Sequence, residues 1–228
     1  MLRVFVLLLG SLMMMAAELS AELPSRRPLD LPSGGKGPQE DAEEYPETIE
    51  FFGGEYEGDA FMFVIDTSGS MAAEGKLESA QEELSQALMS LSGQAEFGIV
   101  AFSSNLNQFS IVMEKATVPN KVAGVAWVNT LVANGGTCID IGTIHGLDIL
   151  RTSLILPESR RLILLGDGAQ GCGFFGEEAN EEALANILLA NWEEVSIDTL
   201  FIGEPWETAL WLFENIAAHN SGEFRMVQ

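Results

Sequence analysis

The run Phe61-Met-Phe-Val-Ile65 is apolar without a break and stops at Asp66. A run of large apolar residues without alternation fits a central strand covered on both faces. Leu77, Ala80, Leu84, Leu88 and Leu91 then recur at helical spacing and predict a first helix, with Gly93 as its C-cap. Residues 95–102 read as a second strand and Phe109 to Met113 as a third, and the short turn between them makes the pair an antiparallel hairpin. Pro119 opens a helix through Val122, Val125, Ala126 and Val128, and residues 140–151 form another with Ile141, Ile144, Leu147 and Leu150 on one face. Residues 161–165 are a core strand, and 177–192 a helix whose Leu184, Leu188 and Trp192 face inward. Residues 196–202 form the next strand, followed by a helix started by Pro205 and carrying Ala209, Leu212, Phe213 and Ile216. Trp127, Trp192, Trp206 and Trp211 are expected to pack helices onto the sheet. The alternation of strand and helix predicts an α/β fold: a doubly wound, mostly parallel central sheet with one antiparallel edge strand and helices on both faces.

The first residues change the picture of where this fold resides. Arg3 is followed by an apolar stretch to Ala17 and a small-residue exit at Ser20-Ala21, so residues 1–21 read as a secretory signal peptide. The apolar core is shorter than the roughly 20 residues of a membrane helix, leaving an uncleaved anchor as the competing reading. No cysteine follows at the exit, which excludes a lipoprotein, and no later segment is apolar enough to span a bilayer. Residues 22–45, rich in Pro, Gly, Ser and charge, read as a disordered linker. One domain then occupies 46–228, in a secreted or periplasmic protein. The formal charge of −23 repels phosphate backbones, so nucleic-acid binding is not expected.

Chemistry concentrates where the first apolar run ends. Asp66, Ser68 and Ser70 present one carboxylate and two hydroxyls just past a strand, at the edge where open α/β sheets bind ligands. Oxygen-only donors suit a hard cation. Asp66-Thr67-Ser68-Gly69-Ser70 resembles the D-x-S-x-S signature of von Willebrand factor A domains, which hold a cation at a metal-ion-dependent adhesion site. Gly135-Gly136-Thr137 resembles that family's second metal loop, and Leu164-Leu165-Gly166-Asp167-Gly168 its third. The likeness runs in family order from Phe51-Phe52-Gly53 to Val227 and suggests a bacterial secreted member with a Rossmann-like fold. It implies a metal set of Asp66, Ser68, Ser70, Thr137 and Asp167 binding magnesium, or manganese or calcium in its place. It also implies a partner protein that offers a carboxylate to the cation. Gly166 departs from the family, which usually has threonine there.

Other readings use the same residues. Asp66-Thr67 superficially resembles an aspartic-protease motif, but Ser68 stands where glycine is needed and there is no second copy. A metal-dependent hydrolase needs a base near the cation, and neither His145 nor His219 lies in an expected metal loop. A structural or assembly subunit that uses the metal only for stability is the main alternative to a non-enzymatic adhesion module. Cys138 and Cys172 follow the second and third metal loops, so convergence of those loops would make them neighbours. In an oxidising compartment such a pair favours a disulfide, and two small buried hydrophobic residues are the other reading.

Overall fold

The computed structural model describes residues 46–173 and 175–227. The expected signal at 1–21 and linker at 22–45 lie outside the described residues.

The first two strands, β1 (Glu47–Phe51) and β2 (Gly54–Gly58), form an antiparallel hairpin. Its turn, Phe52-Gly53, has positive φ at both residues (48° and 66°), the backbone whose twist suits the flanking strands. Ile49, Phe51 and Tyr56 point inward and alternate with exposed Glu50, Glu55 and Glu57. Sequence reading assigned no strand here, although that period of two was present.

Seven strands make the main sheet: β3 (Ala60–Asp66), β4 (Glu96–Phe102), β5 (Leu106–Gln108), β6 (Glu114–Lys115), β7 (Arg160–Gly166), β8 (Ser196–Ile202) and β9 (Phe224–Val227). The spatial order is β5-β4-β3-β7-β8-β9, with β6 also on β4. β4, β3, β7, β8 and β9 are parallel, and β5 and β6 are antiparallel to β4. Helices α1 (Lys76–Ser90) and α2 (Val118–Val128) cover one face, and α3 (Ile139–Leu150), α4 (Glu177–Ala190) and α5 (Glu207–His219) the other. β3 serves both cores at once: Phe61, Phe63 and Ile65 join the first, Met62 and Val64 the second. This is why its sequence is apolar without alternation. Helix α3 lies close on the sheet because a Cβ at Gly146 would come within 2.6 Å of Val64 Cγ2. Among the described residues no helix is long and apolar enough to cross a membrane.

Several local expectations are corrected. The edge strand is not Phe109 to Met113: β5 and β6 flank that stretch, where Ile111 and Val112 are exposed and the Met113 amide donates to Thr152 Oγ1 at 2.8 Å. The edge of the sheet is thus interrupted, as exposed edges commonly are. Gly93 does not cap α1. Lys121 of α2 is buried and its ammonium donates to the carbonyls of Met89 (3.1 Å) and Leu91 (2.6 Å), so a cation satisfies the helix end instead. That places Lys121 and Gly124 on the inner face of α2 and leaves Val122 and Ala126 exposed. Ile141, Leu188 and Trp192 are also exposed, because α3 and α4 turn Ile149, Leu150, Ala183 and Ile187 inward. Trp192 instead sits under the Arg151 guanidinium, 5.4 Å from the ring centroid. Pro205 precedes the N-cap residue Trp206 and lies outside α5, and Trp206 is exposed rather than packed on the sheet.

Candidate functional site

The chain leaves β3 toward β4 on one side and leaves β7 toward β8 on the other, so the carboxyl ends of β3 and β7 form the topological switch point of the sheet. Asp66 is the last residue of β3 and Asp167 the first after β7. Backbone hydrogen bonds draw a third loop in between. Asn134 N–H donates to Thr67 O at 2.8 Å, Gly69 N–H to Gly135 O at 3.0 Å and Gly171 N–H to Thr137 O at 2.7 Å. Gly135 (φ +79°) suits the turn, since a Cβ there would stand only 3.0 Å from Ser104 Oγ.

Cys138 and Cys172 are joined by a disulfide, with Cα atoms 4.9 Å apart, which fastens the second loop to the third. Gln170 adds a second tie, its side-chain oxygen accepting the Ile139 amide at 2.8 Å while its backbone N–H donates to Asn180 Oδ1 at 3.1 Å. Asn180 in turn donates to Thr208 O at 2.7 Å, linking α4 to the start of α5.

Within this frame the carboxyl of Asp66 is fully buried. Oδ1 accepts the Ser68 amide at 2.6 Å, whereas Oδ2 is buried with no hydrogen-bond partner among the described residues. Burial is the main cause that pushes the Asp66 pKa up to about 7; hydrogen bonds from Ser68 offset it in part, and the charge of Asp167 raises it further. Oδ2 faces Gly166 of β7, where the ideal position of a Cβ lies 3.1 Å from it.

Ser68 and Ser70 share a hydrogen bond at 3.0 Å, and Ser70 Oγ donates to Asp167 Oδ1 at 2.7 Å. Thr137 faces the third loop next to Asp167: its Oγ1 is 3.7 Å from the Cβ position of Gly168. Thr137 and Ser70 both line a pocket of about 430 Å³ that Phe175 and Trp206 line as well. These aromatic residues are 78% and 58% exposed, unusual for large apolar side chains beside a polar cluster.

The structure therefore brings Asp66, Ser68, Ser70 and Asp167 into one cluster and sets Thr137 beside it. Two carboxylates and three hydroxyls, with one carboxylate oxygen buried and unpartnered, fit a hard cation. Sequence reading missed Lys76, whose ammonium forms an ion pair with Asp167 Oδ2. The available signal was a lysine at the first position of a helix, where positive charge is disfavoured.

Comparison with known proteins agrees with this architecture. Residues 61–170, just under half of the chain, match the family model described as von Willebrand factor type A domain. Mouse inter-alpha-trypsin inhibitor heavy chain 4 is 34% identical over 47% of this chain and 12% of its own length. The human inter-alpha-trypsin inhibitor heavy chain H4 is 28% identical over 73% of this chain and 18% of its own. The chain thus spans less than a fifth of either relative.

Among solved structures, a von Willebrand factor type A protein from Catenulispora acidiphila superposes with a TM-score of 0.63 at 24% identity, covering 75% of this chain and 39% of that one. The pilus adhesin SpaC of Lactobacillus rhamnosus GG gives 0.59 at 16% identity over 74% of this chain and 28% of that one. The von Willebrand domain of a type V pilus tip protein from Porphyromonas gingivalis gives 0.60 at 12% identity over 78% and 90%. The fold is the Rossmann-like fold of von Willebrand factor type A domains, and the family-model match supports such a domain at residues 61–170.

Proposed function

We propose that this chain is an extracellular or periplasmic adhesion or assembly module in which Asp66, Ser68, Ser70, Thr137 and Asp167 hold a divalent cation, magnesium foremost. The observation that carries this reading is the clustering of Asp66, Ser68, Ser70 and Asp167 at the switch point of the sheet, with Thr137 of a third loop beside them and Asp66 Oδ2 buried without a hydrogen-bond partner among the described residues. When bound, a divalent cation would supply a Lewis-acidic centre able to take a carboxylate oxygen from a partner protein.

The chain's own residues do the rest. Asp66 and Asp167 supply charge from rigid strand ends, and the Ser68–Ser70–Asp167 hydrogen bonds orient the hydroxyls. Three neutral hydroxyl donors leave a bound cation short of negative charge, which favours an anionic ligand from outside. Phe175 and Trp206 form an apolar wall for side chains that flank the partner's carboxylate. Relatives that include a pilus adhesin support adhesion and an extracytoplasmic setting. His145 lies within α3 and His219 ends α5, so neither belongs to the three loops, which supports binding rather than catalysis.

Two measurements test the reading. Calorimetric titration with Mg²⁺ or Mn²⁺ is expected to show one saturable site, lost in Asp66→Ala with the circular dichroism spectrum unchanged. Selection from a displayed peptide library in Mg²⁺, with elution by chelator, is expected to enrich sequences carrying Asp or Glu. Undiminished cation binding in Asp66→Ala would overturn the site. Cation binding without any chelator-sensitive peptide would instead favour a subunit that uses the ion only for stability.

A further inference from the structure

Lys76 breaks a local rule. It is the first residue of α1, where the helix dipole and the free amides favour an acid over a base. It is delivered there by two consecutive residues with left-handed backbone, Glu74 (φ 58°) and Gly75 (φ 71°), the former at a conformational cost for a residue with a Cβ. A position that opposes helix propensity and needs a strained lead-in points to a role outside the helix.

The side chain is 14% exposed and its ammonium lies on Asp167 Oδ2, while the other oxygen of Asp167 takes the Ser70 hydroxyl. Asp167 is one of only two carboxylates in the proposed cation set, so Lys76 offsets half of the set's formal negative charge. Its methylenes run along Gly203, whose Cβ would stand 3.1 Å from Lys76 Cδ, so the lack of a side chain there gives the lysine its path. That path borders a second groove of about 380 Å³ lined by Glu74 and Glu204. The ammonium thus has a carboxylate partner in the cluster, and Lys76 shares the lining of the neighbouring groove with two further acidic residues.

From this arrangement we infer that Lys76 is a tethered counter-cation of the proposed site: it competes with a divalent ion for Asp167 and withdraws toward Glu74 and Glu204 when that ion binds. The inference rests on the metal-site reading above and adds its regulation. The lysine keeps affinity for free cations low by making each binding event displace an internal ion pair.

The test uses the full chain with Mn²⁺ as probe. Lys76→Met keeps length and apolar bulk and removes the charge, and it is expected to tighten Mn²⁺ binding by about tenfold or more with one site retained. Lys76→Arg keeps the charge and should stay within about threefold of the original protein. A second readout needs no variant: acetylation of Lys76 by acetic anhydride, followed by mass spectrometry, should speed up several-fold on adding saturating Mn²⁺. Lys115, at 51% exposure, serves as the internal reference whose rate stays constant.

The two possible failures separate cleanly. If the unaltered chain binds one Mn²⁺ that Asp66→Ala abolishes, the site stands; unchanged or weaker binding in Lys76→Met, or a constant acetylation rate at Lys76, then overturns the counter-cation. If neither the unaltered chain nor Lys76→Met binds Mn²⁺ saturably, the site itself falls and the inference with it.

Discussion

The carboxyl of Asp66 is an ionisable group held where ionisation is costly, and its consequence is a pH dependence. Its pKa is raised from the ordinary 3.8 to about 7 by burial, so between about pH 4 and pH 7 the folded chain binds a proton that the unfolded chain has released. Stability from this group is present in full below the unfolded value and is lost as pH rises through about 7. In chelator, thermal melts should therefore show a higher melting temperature near pH 5 than near pH 8, a difference on the order of 1–4 kcal/mol for this group. Asp66→Asn should remove that part of the slope. Asp198, also raised by burial and partly compensated by Arg161, should leave a residual slope of the same sign. A melt that is flat across this range, or a slope the variant leaves intact, would contradict the desolvated carboxyl.

The elements around the site are held by ties that do not depend on a ligand. The disulfide closes a loop with a sequence separation of 34 residues between Cys138 at the N-cap of α3 and Cys172 in the third loop. By chain entropy such a link is worth about 2–4 kcal/mol, because it restricts the unfolded chain more than the folded one. Reduction, or the double variant Cys138→Ser with Cys172→Ser, should lower stability by that amount in denaturant titrations. It should also weaken Mn²⁺ binding, because Thr137 and Asp167 would no longer be held at a fixed separation before the ion arrives. Gln170 and Asn180 still connect α3, α4 and α5 through hydrogen bonds, so the loss of affinity should be partial. Affinity that is equal before and after reduction would restrict the bridge to stability alone.

At the scale of the whole molecule the surplus of acid is the governing quantity. With 34 acidic and 11 basic side chains, the chain carries a formal charge of −23 that repels itself most in the compact state. Screening within a Debye length of about 10 Å at 0.1 M salt relieves that repulsion. Raising NaCl from about 20 to 300 mM at pH 7.5 should therefore raise the melting temperature in chelator. The same rise should weaken divalent binding, because the acidic surface no longer concentrates cations as strongly. A melting temperature that falls with salt would mean that the described ion pairs, Arg160–Glu193 and Arg161–Asp198 among them, outweigh the net repulsion.

What the sequence determined by itself follows from periods and from residue chemistry. Strands β3, β7 and β8 were legible because both their faces are buried and each carries an apolar run, Phe61 to Ile65, Leu162 to Leu165 and Leu200 to Ile202. The clustering of Asp66, Ser68 and Ser70 was legible because the three are neighbours in one turn after a strand. What only the tertiary structure decided depends on contacts between distant segments. The inner face of α2 carries, beside Val125 and Val128, a buried lysine that caps a different helix, which an apolar count along α2 alone does not place. The edge strand breaks into β5 and β6 because Thr152, far along the chain, takes the Met113 amide. Lys76 and Asp167, separated by 91 residues, meet only because β3 and β7 are adjacent in the sheet. Periodicity records which side of an element avoids water, but a charge finds its partner through the packing of the whole chain.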